Sequence, residues 1–270
     1  MKKITFIGAG NMAQSLIAGL IKDETSLSIC VADPMSSQLE VITSAWPEVM
    51  THCDNLQAIE NADAVILAVK PQLMQQVCDP LQNAVQQSQP LIISIAAGIT
   101  ESNLSDWLGG DLGVPVVRCM PNTPALVQAG ITGLYANELV AEEQRNLAES
   151  ILRSVGSTIW FDKEEKLNAV TAVSGSGPAY FFLVMEAMQN AAENLGLSQQ
   201  DAQQLVLQTA FGAAKLALES ADSPAELRQK VTSKGGTTEA ALKELNKGGL
   251  IALFDTALLA AFKRSEELSK

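Results

Sequence analysis

The sequence predicts an α/β fold in which a doubly wound parallel sheet is followed by an all-helical domain. Short β-rich runs alternate with helical segments as far as about residue 162, and no strand-like run follows. Short apolar runs between helices are typical of parallel strands that are covered on both faces. Beyond that point alanine, leucine, glutamine and glutamate dominate. The expected domains are therefore residues 1–162 and 163–270.

The predicted strands are short runs of β-branched and aliphatic residues. They are Lys3–Ile7, Ser28–Ala32, Ala64–Val69, Leu91–Ile95, Pro115–Cys119, Ile131–Tyr135 and Thr158–Phe161. Apolar residues at three- and four-residue spacing predict helices between several of them, such as Met12–Ile21 and Glu142–Val155.

The second domain is predicted to be helical throughout. The expected helices are Pro178–Leu195, Ser198–Ser220, Pro224–Thr232, Thr238–Lys247 and Leu250–Leu268. Ser198 and the Ser223-Pro224 pair have the residue types that begin helices. The helix from Ala179 is apolar around most of its circumference and needs burial on all sides, so we expect an intersubunit helical core.

Composition and charge exclude several classes of protein. Of the 270 residues, 47% are hydrophobic, which is too many for a disordered chain. The longest apolar stretches are short or interrupted by charge, and Gly8, Gly10 and Asn11 interrupt any signal-peptide core, so we expect a cytoplasmic protein without a membrane span. The net charge of −12, without a basic cluster, argues against nucleic acid as a partner.

The cysteines and the histidine do not predict a metal or hydrolase site. The four cysteines, Cys30, Cys53, Cys78 and Cys119, form no CxxC pair, which favours buried, reduced thiols over disulfides or zinc. The only histidine, His52, lacks an accompanying GxSxG motif and is expected in a loop or on the surface.

A glycine motif at the first strand indicates dinucleotide binding. The segment Gly8-Ala9-Gly10-Asn11-Met12-Ala13 follows a predicted strand and opens a predicted helix. Gly8 permits a tight turn, Gly10 lets the backbone approach a pyrophosphate, and Ala13 lets helix and strand pack. A purely structural turn is the alternative interpretation. We expect a Rossmann-type domain with a nicotinamide cofactor.

The residues after the second strand bear on the choice between NADH and NADPH. Asp33 stands where a carboxylate normally accepts hydrogen bonds from the ribose hydroxyls of NAD. Ser36 and Ser37 can instead hydrogen-bond a 2′-phosphate, and Asp33-Pro34 also suits a plain turn. Both cofactors remain open.

Later strands end in residues suited to the same ligand-binding edge. Lys70 is expected at the carboxyl end of a parallel strand, just before Pro71. The small residues of Ser94–Gly98 let the backbone approach a flat ring. The stiff segment Met120–Pro124 either presents Asn122 and Thr123 to the crevice or is a rigid connection.

Two glycine-rich loops precede helices in the second domain. Ser174–Tyr180 is expected to allow close backbone packing. In Gly235–Glu239 the free amides and a threonine hydroxyl form a ready site for a carboxylate.

Taken together, these segments resemble the pyrroline-5-carboxylate reductase family from end to end. The segments that carry the resemblance are Phe6–Met12, Ala68–Pro71, Ile95–Gly98, Met120–Pro124, Ser174–Tyr180 and Gly235–Thr238. The resemblance implies NAD(P)H-dependent reduction of (S)-1-pyrroline-5-carboxylate to L-proline, the last step of proline synthesis. It also implies a Rossmann domain, a helical dimerisation domain and homodimers that often assemble into decamers.

The resemblance also implies roles for individual residues. It places Thr238 against the ring nitrogen as the catalytic contact. Substrate contacts fall on Lys230, Val231, Gly236, Thr237 and Thr238. Cofactor contacts fall on Gly8, Ala9, Gly10, Asn11, Met12, Asn55, Ala68, Val69, Lys70, Pro71, Ala96 and Ala97. The residues after the second strand add Asp33 and Ser36 as candidate cofactor contacts.

The chain departs from the family pattern at a few positions. Lys230 stands where members commonly have asparagine or methionine, and Ser233-Lys234 replaces Ser-Pro. Ala221 replaces an acidic residue of some members, and Asp33 replaces a neutral one. Two other functions remain possible: a non-enzymatic NAD(P) sensor and a β-hydroxyacid dehydrogenase. A β-hydroxyacid dehydrogenase would have a catalytic lysine after the second-domain loop, and this sequence has no lysine between Lys166 and Lys215.

Overall fold

A computed structural model describes residues 1–23 and 27–269, apart from the side chain of Asp111. Two compact units are formed, Met1–Ser176 with Ala261–Lys270, and Gly177–Ala260. The strands end at Trp160, close to the expected boundary after residue 162. That boundary stays a prediction, because the residues just beyond it pack with the first unit.

Within the described residues, eight strands form one sheet in the order β3-β2-β1-β4-β5-β6-β7-β8. The strands are β1 Lys2–Ile7, β2 Leu27–Ala32, β3 Met50–His52, β4 Ala64–Leu67, β5 Leu91–Ser94, β6 Val116–Met120, β7 Gly130–Ala136 and β8 Gly156–Trp160. The order reverses between β1 and β4, and the strands from β3 to β6 run parallel.

Two features of the sheet differ from the prediction. β7 runs antiparallel to β6, because the short segment between Met120 and Gly130 holds only a 3-10 turn and reverses the chain. A parallel crossover needs a dozen or more residues. The edge strand β3 was not predicted, since its three residues are partly exposed and carry no apolar run. His52 lies in this strand, half-buried, and not in a loop.

The helices of the first unit fill the connections between strands, except the last one, which follows β8. They are α1 Asn11–Lys22, α2 Ser36–Ala45, α3 Asn55–Ile59, α4 Met74–Cys78, α5 Gln82–Ser88, α6 Glu101–Leu104, α7 Glu142–Arg153 and α8 Lys166–Val170. The short helix α8 was not predicted; a π-helical turn, Thr171–Gly175, follows it.

Apolar side chains cover both faces of the sheet. In β1, Ile4 and Phe6 belong to one buried cluster, and Ile7 belongs to another. In β4, Ile66 joins the first cluster and Val65 the second. Successive residues of a strand point to opposite faces, so the two clusters are the two layers between sheet and helices. The predicted doubly wound α/β class is confirmed.

The cysteines are free thiols, and three of them are buried. Burial raises the pKa of Cys78 to about 12 and also raises the pKa values of Cys30 and Cys119. The prediction of burial is wrong for Cys53, which is exposed because it follows the edge strand β3.

The second unit consists of helices, as predicted. They are α9 Gly177–Asn194, α10 Gln199–Glu219, α11 Pro224–Lys230, α12 Thr237–Lys247 and α13 Leu250–Leu268, whose last turns belong to the first unit. The Ser198 hydroxyl accepts a bond from the Asp201 N–H and caps α10. Ser223 caps α11, with Pro224 in its first turn.

Large apolar side chains of these helices remain exposed. Phe181, Phe182 and Leu183 of α9 are exposed by 62–68%, and Phe211 of α10 by 63%. The stretch Lys166–Asn194 is long and apolar enough to cross a membrane, judged by length and composition alone. The bent pair α12 and α13 also qualifies if it is counted as one span. A single chain does not cover these surfaces.

Candidate active site

The predicted cofactor residues gather at one edge of the sheet. Gly8 follows β1, Asp33 follows β2, Asn55 follows β3, Ala68 follows β4 and Ala96 follows β5 shortly after its end. The carboxyl ends of parallel strands meet at the same edge, and ligands bind there where the strand order reverses. The order reverses between β1 and β4, so this edge is the candidate cofactor site.

Gly8 joins three strands at this edge and admits no side chain. Its φ is +101°, and a Cβ atom there would come within 2.7 Å of the Ala68 carbonyl oxygen. Its N–H donates to the Ala32 carbonyl oxygen at 2.7 Å. Only glycine fits this position without strain.

Gly10 leaves open space in front of a helix start. It is the N-cap residue of α1, and a Cβ atom there would meet nothing within 4 Å. No side chain caps the helix, so its first amides remain free for an anion. Asn11 is exposed and Met12 half-buried in the first turn. These residues fit a dinucleotide pyrophosphate.

The buried Asp33 carboxylate holds the turn together. One oxygen accepts a bond from the Ala9 N–H at 3.0 Å, and the other accepts a bond from the Met35 N–H at 2.9 Å. Ser36, by contrast, is exposed at the start of α2, whose first turn has no side-chain cap. The geometry favours a role for Asp33 in shaping the glycine turn.

Replacing Asp33 with serine is expected to raise KM for both cofactors, because two backbone bonds of the turn are lost. The ratio of kcat/KM for NADPH over NADH should change by less than about 3-fold, since the carboxylate is occupied within the protein. Steady-state kinetics with each cofactor measures this ratio. The control is Ser36→Ala, which should raise KM for NADPH and leave KM for NADH unchanged. A shift of tenfold or more towards NADPH in Asp33→Ser would instead place the carboxylate at the ribose.

Loops after β4 and β5 complete the edge. Val69 is half-buried, and the exposed Lys70 precedes a 3-10 turn that begins at Pro71. Ala96 is buried and Ala97 half-buried.

The next residue, Gly98, has φ of +79°. A Cβ atom on Gly98 would lie 2.8 Å from the Leu268 carbonyl oxygen, so the end of α13 packs closely on this loop within the first unit.

Asn122 braces the chain through both ends of its side-chain amide. Its Nδ2 donates to the Ser174 carbonyl oxygen at 3.1 Å, and its Oδ1 accepts a bond from the Ile131 N–H at 3.0 Å. A Cβ atom on Gly175 would come within 2.6 Å of the Met120 methyl group. The rigid-connection interpretation of Met120–Pro124 accounts for these contacts. At Gly175 the close contact is with the Met120 side chain, and the predicted backbone packing at Ser174–Tyr180 stays a prediction.

In the second unit, Gly235 and Gly236 shape the turn before α12. Gly236 is the N-cap residue, and its N–H donates to the Ser233 carbonyl oxygen at 3.0 Å. Gly235 has φ of +75°, and its N–H donates to the Glu239 carboxylate at 2.7 Å. The two glycine amides are therefore used within the loop.

Thr237 and Thr238 are the first two residues of α12. No side chain caps this helix, so neither hydroxyl serves as its N-cap. Thr237 is exposed and Thr238 half-buried. Their backbone amides lie in the first turn, where N–H groups have no partner within the helix. Both amides and hydroxyls are thus available to a ligand.

The remaining predicted substrate residues lie at the end of α11. Lys230 Nζ forms an ion pair with the Asp222 carboxylate at 2.5 Å. Val231 follows the helix and is 63% exposed. The ion pair was not anticipated, because Asp222 and Lys230 stand at opposite ends of the helical segment.

A cavity of about 660 Å³ lies beside the α12 loop and is lined in part by Gly235, Gly236, Glu239 and Lys243. Glu239 and Lys243 share one face of α12 because they are four residues apart. No role was assigned to either residue from the sequence. Their four-residue spacing, just after the glycine pair, could have indicated that both face the same side of the helix.

Comparison with protein families gives two matches. Residues 164–268 match the model described as pyrroline-5-carboxylate reductase dimerisation, and residues 3–98 match the model described as NADP oxidoreductase coenzyme F420-dependent.

Curated relatives match over the full length. The pyrroline-5-carboxylate reductase of Pseudomonas aeruginosa is 51% identical, over 99% of this chain and 97% of its own. That of Pasteurella multocida is 42% identical, over 100% of this chain and 98% of its own.

Solved structures agree. A pyrroline-5-carboxylate reductase from Coxiella burnetii has a TM-score of 0.93 and 48% identity, covering 99% of this chain and 98% of its own. The pyrroline carboxylate reductase of Plasmodium falciparum, solved with NADP bound, has a TM-score of 0.86 and 27% identity, covering 100% of this chain and 98% of its own. These matches favour reductase activity over both the sensor and the β-hydroxyacid dehydrogenase alternatives.

Proposed function

The chain belongs to the pyrroline-5-carboxylate reductase family, and we propose that the loop Gly235–Thr238 holds its substrate while the carboxyl edge of the sheet holds its cofactor. It is an NAD(P)H-dependent oxidoreductase that reduces the C=N bond of (S)-1-pyrroline-5-carboxylate to give L-proline. The start of α12 supports this site most strongly, because Thr237 and Thr238 present amides and hydroxyls that the helix itself does not use.

The cofactor site is proposed at residues whose shape suits a dinucleotide. Gly8 and Gly10 leave room for backbone approach, and the uncapped start of α1 offers amides to phosphate. The nicotinamide ring supplies the hydride when it is bound. Further contacts are proposed for Ala9, Asn11, Met12, Ser36, Asn55, Ala68, Val69, Lys70, Pro71, Ala96 and Ala97, and Asp33 is proposed to support the site by shaping the glycine turn. NADH and NADPH both remain candidates for the preferred form.

The substrate site is proposed to act through the α12 loop. The amides of Thr237 and Thr238 hold the substrate carboxylate at the positive end of the helix dipole. The Thr238 hydroxyl lies against the ring nitrogen and is the proposed catalytic contact. Gly236 gives close backbone approach, and Lys230 and Val231 border the substrate. A protonated cyclic imine is already electrophilic, so these residues chiefly bind and orient it.

Turnover of pyrroline-5-carboxylate, turnover of a β-hydroxyacid and binding of the cofactor alone together test this function. The purified chain should oxidise NAD(P)H only when pyrroline-5-carboxylate is added. A β-hydroxyacid supplied with oxidised cofactor should give no reduced cofactor. Cofactor binding without turnover of either compound would favour the sensor function instead.

The chain is a homo-oligomer that acts on a small molecule. We propose that the exposed apolar faces of α9 and α10, including Phe181 and Phe211, form the dimer interface and not a membrane span. Their place in the segment matched by the dimerisation family supports this assignment. Further assembly into a decamer, a cytoplasmic location and the absence of nucleic-acid and membrane partners belong to the same proposal.

Sedimentation velocity at low micromolar concentration is expected to show a dimer or a larger species. Obligate interfaces bury more than about 2,000 Å² of largely apolar surface, which suits the exposed helices of the second unit. Phe182→Asp should shift the distribution to smaller species, whereas Glu186→Gln on the same helix should not. A well-folded wild-type monomer would contradict the interface.

A further inference from the structure

Glu239 is bonded to the loop that precedes its own helix. It is the third residue of α12, and its Oε2 accepts the Gly235 N–H at 2.7 Å. Gly235 adopts a positive φ of +75°, and a Cβ atom there would meet nothing within 4 Å. The bond to the Glu239 carboxylate holds the Gly235 amide in place.

This bond occupies one of the loop amides, and a second is used by Ser233. Gly235 donates to Glu239, and Gly236 donates to the Ser233 carbonyl oxygen. The first intrahelical bond is the one from the Ala240 N–H to the Gly236 carbonyl oxygen at 3.2 Å. The donors of the first turn without an intrahelical partner are thus the amides of Thr237, Thr238 and Glu239 itself.

We propose that Glu239 is a positioning residue for the substrate carboxylate. By holding the Gly235 amide it fixes the turn, and it directs an incoming carboxylate to the amides of Thr237 and Thr238. The Glu239 carboxylate does not itself bind the substrate, because two negative charges repel. This inference rests on the proposed function of the Gly235–Thr238 loop.

The test compares substrates with and without a carboxylate in the full-length protein. Glu239→Ala is expected to raise KM for pyrroline-5-carboxylate by roughly 3- to 10-fold, the usual worth of one hydrogen bond. Its kcat and its KM for NADPH should stay within about 2-fold of wild type. For 1-pyrroline, the same ring without the carboxylate, KM should also stay within about 2-fold.

Three further variants separate the hydrogen bond from charge and folding. Glu239→Gln keeps an acceptor and should restore KM to within about 2-fold of wild type. Glu239→Met keeps the side-chain length without a strong acceptor, so its KM for pyrroline-5-carboxylate should rise as in the alanine variant. It replaces the alanine variant if alanine impairs folding. Glu244→Ala removes a negative charge from the last turns of α12 and should leave KM unchanged.

Other results would overturn the inference. An unchanged or lowered KM in Glu239→Ala and Glu239→Met, an equal effect on 1-pyrroline, or a failure of Glu239→Gln to restore KM each excludes positioning through this bond. The proposed function is judged separately by Thr238→Ala. If that variant is impaired while the Glu239 variants are not, the loop remains the substrate site and only this inference fails.

Discussion

Replacing Thr238 with alanine is expected to lower kcat/KM for pyrroline-5-carboxylate by roughly 10- to 150-fold. A hydrogen bond to a charged group contributes about 1.5–3 kcal/mol, and here it is lost in the transition state. The structure removes the competing explanation that the hydroxyl caps α12, because Gly236 is the N-cap residue and no side-chain cap is present. Little stability should therefore be lost. Steady-state kinetics and thermal melting measure the two effects.

The neighbouring threonine provides the control for this variant. Thr237→Ala removes the same group one residue earlier and should have the smaller effect on kcat/KM. KM for the cofactor should hardly change in either variant, because the cofactor residues belong to the other unit. Wild-type kcat/KM in Thr238→Ala together with a lowered melting temperature would make Thr238 a structural residue.

Replacing Gly8 with alanine is expected to weaken cofactor binding by at least about 30-fold, which corresponds to roughly 2 kcal/mol. A non-glycine residue at φ of +101° is strained by about 1–3 kcal/mol. The added Cβ atom would also lie 2.7 Å from the Ala68 carbonyl oxygen and force the ends of β1 and β4 apart. Fluorescence titration with NADPH measures the loss.

Gly196→Ala separates backbone strain from the shape of the cofactor edge. Gly196 has a similar φ of +96°, but a Cβ atom there meets nothing within 4 Å, and it lies in the second unit. This control should lose some stability and keep wild-type affinity for NADPH. If Gly8→Ala binds NADPH as tightly as the control does, the glycine turn is not part of the cofactor site.

Most of the sheet could be predicted because its central strands are buried on both faces. β4 and β5 read as continuous apolar runs, so their positions followed directly from the sequence. β3 could not be found in this way, since an edge strand of three partly exposed residues has no apolar pattern. The reversed direction of β7 depends on the length of one connection, and the hydrophobic pattern does not report it.

In the candidate site too, local features could be predicted from the sequence, whereas contacts between distant segments could not. Gly8 and Gly10 were predictable because a glycine turn between strand and helix is a local feature. The bonds of Asp33 to the glycine turn and of Asn122 to Ser174 join segments distant in sequence, so residue type alone did not reveal them. The contact from Gly235 to Glu239 is local, but glutamate at that position also suits an ordinary helix start.

We expect this chain to deliver a hydride from a nicotinamide cofactor to the imine carbon of the pyrroline ring, C2, which becomes C5 of proline. The most direct test uses NADPH or NADH deuterated at the transferred position of C4, with pyrroline-5-carboxylate and the purified full-length protein. We expect L-proline that carries one deuterium at C5, formed in equal amount to the cofactor oxidised. Proline without deuterium, or cofactor oxidation without proline, would contradict hydride transfer to the imine carbon.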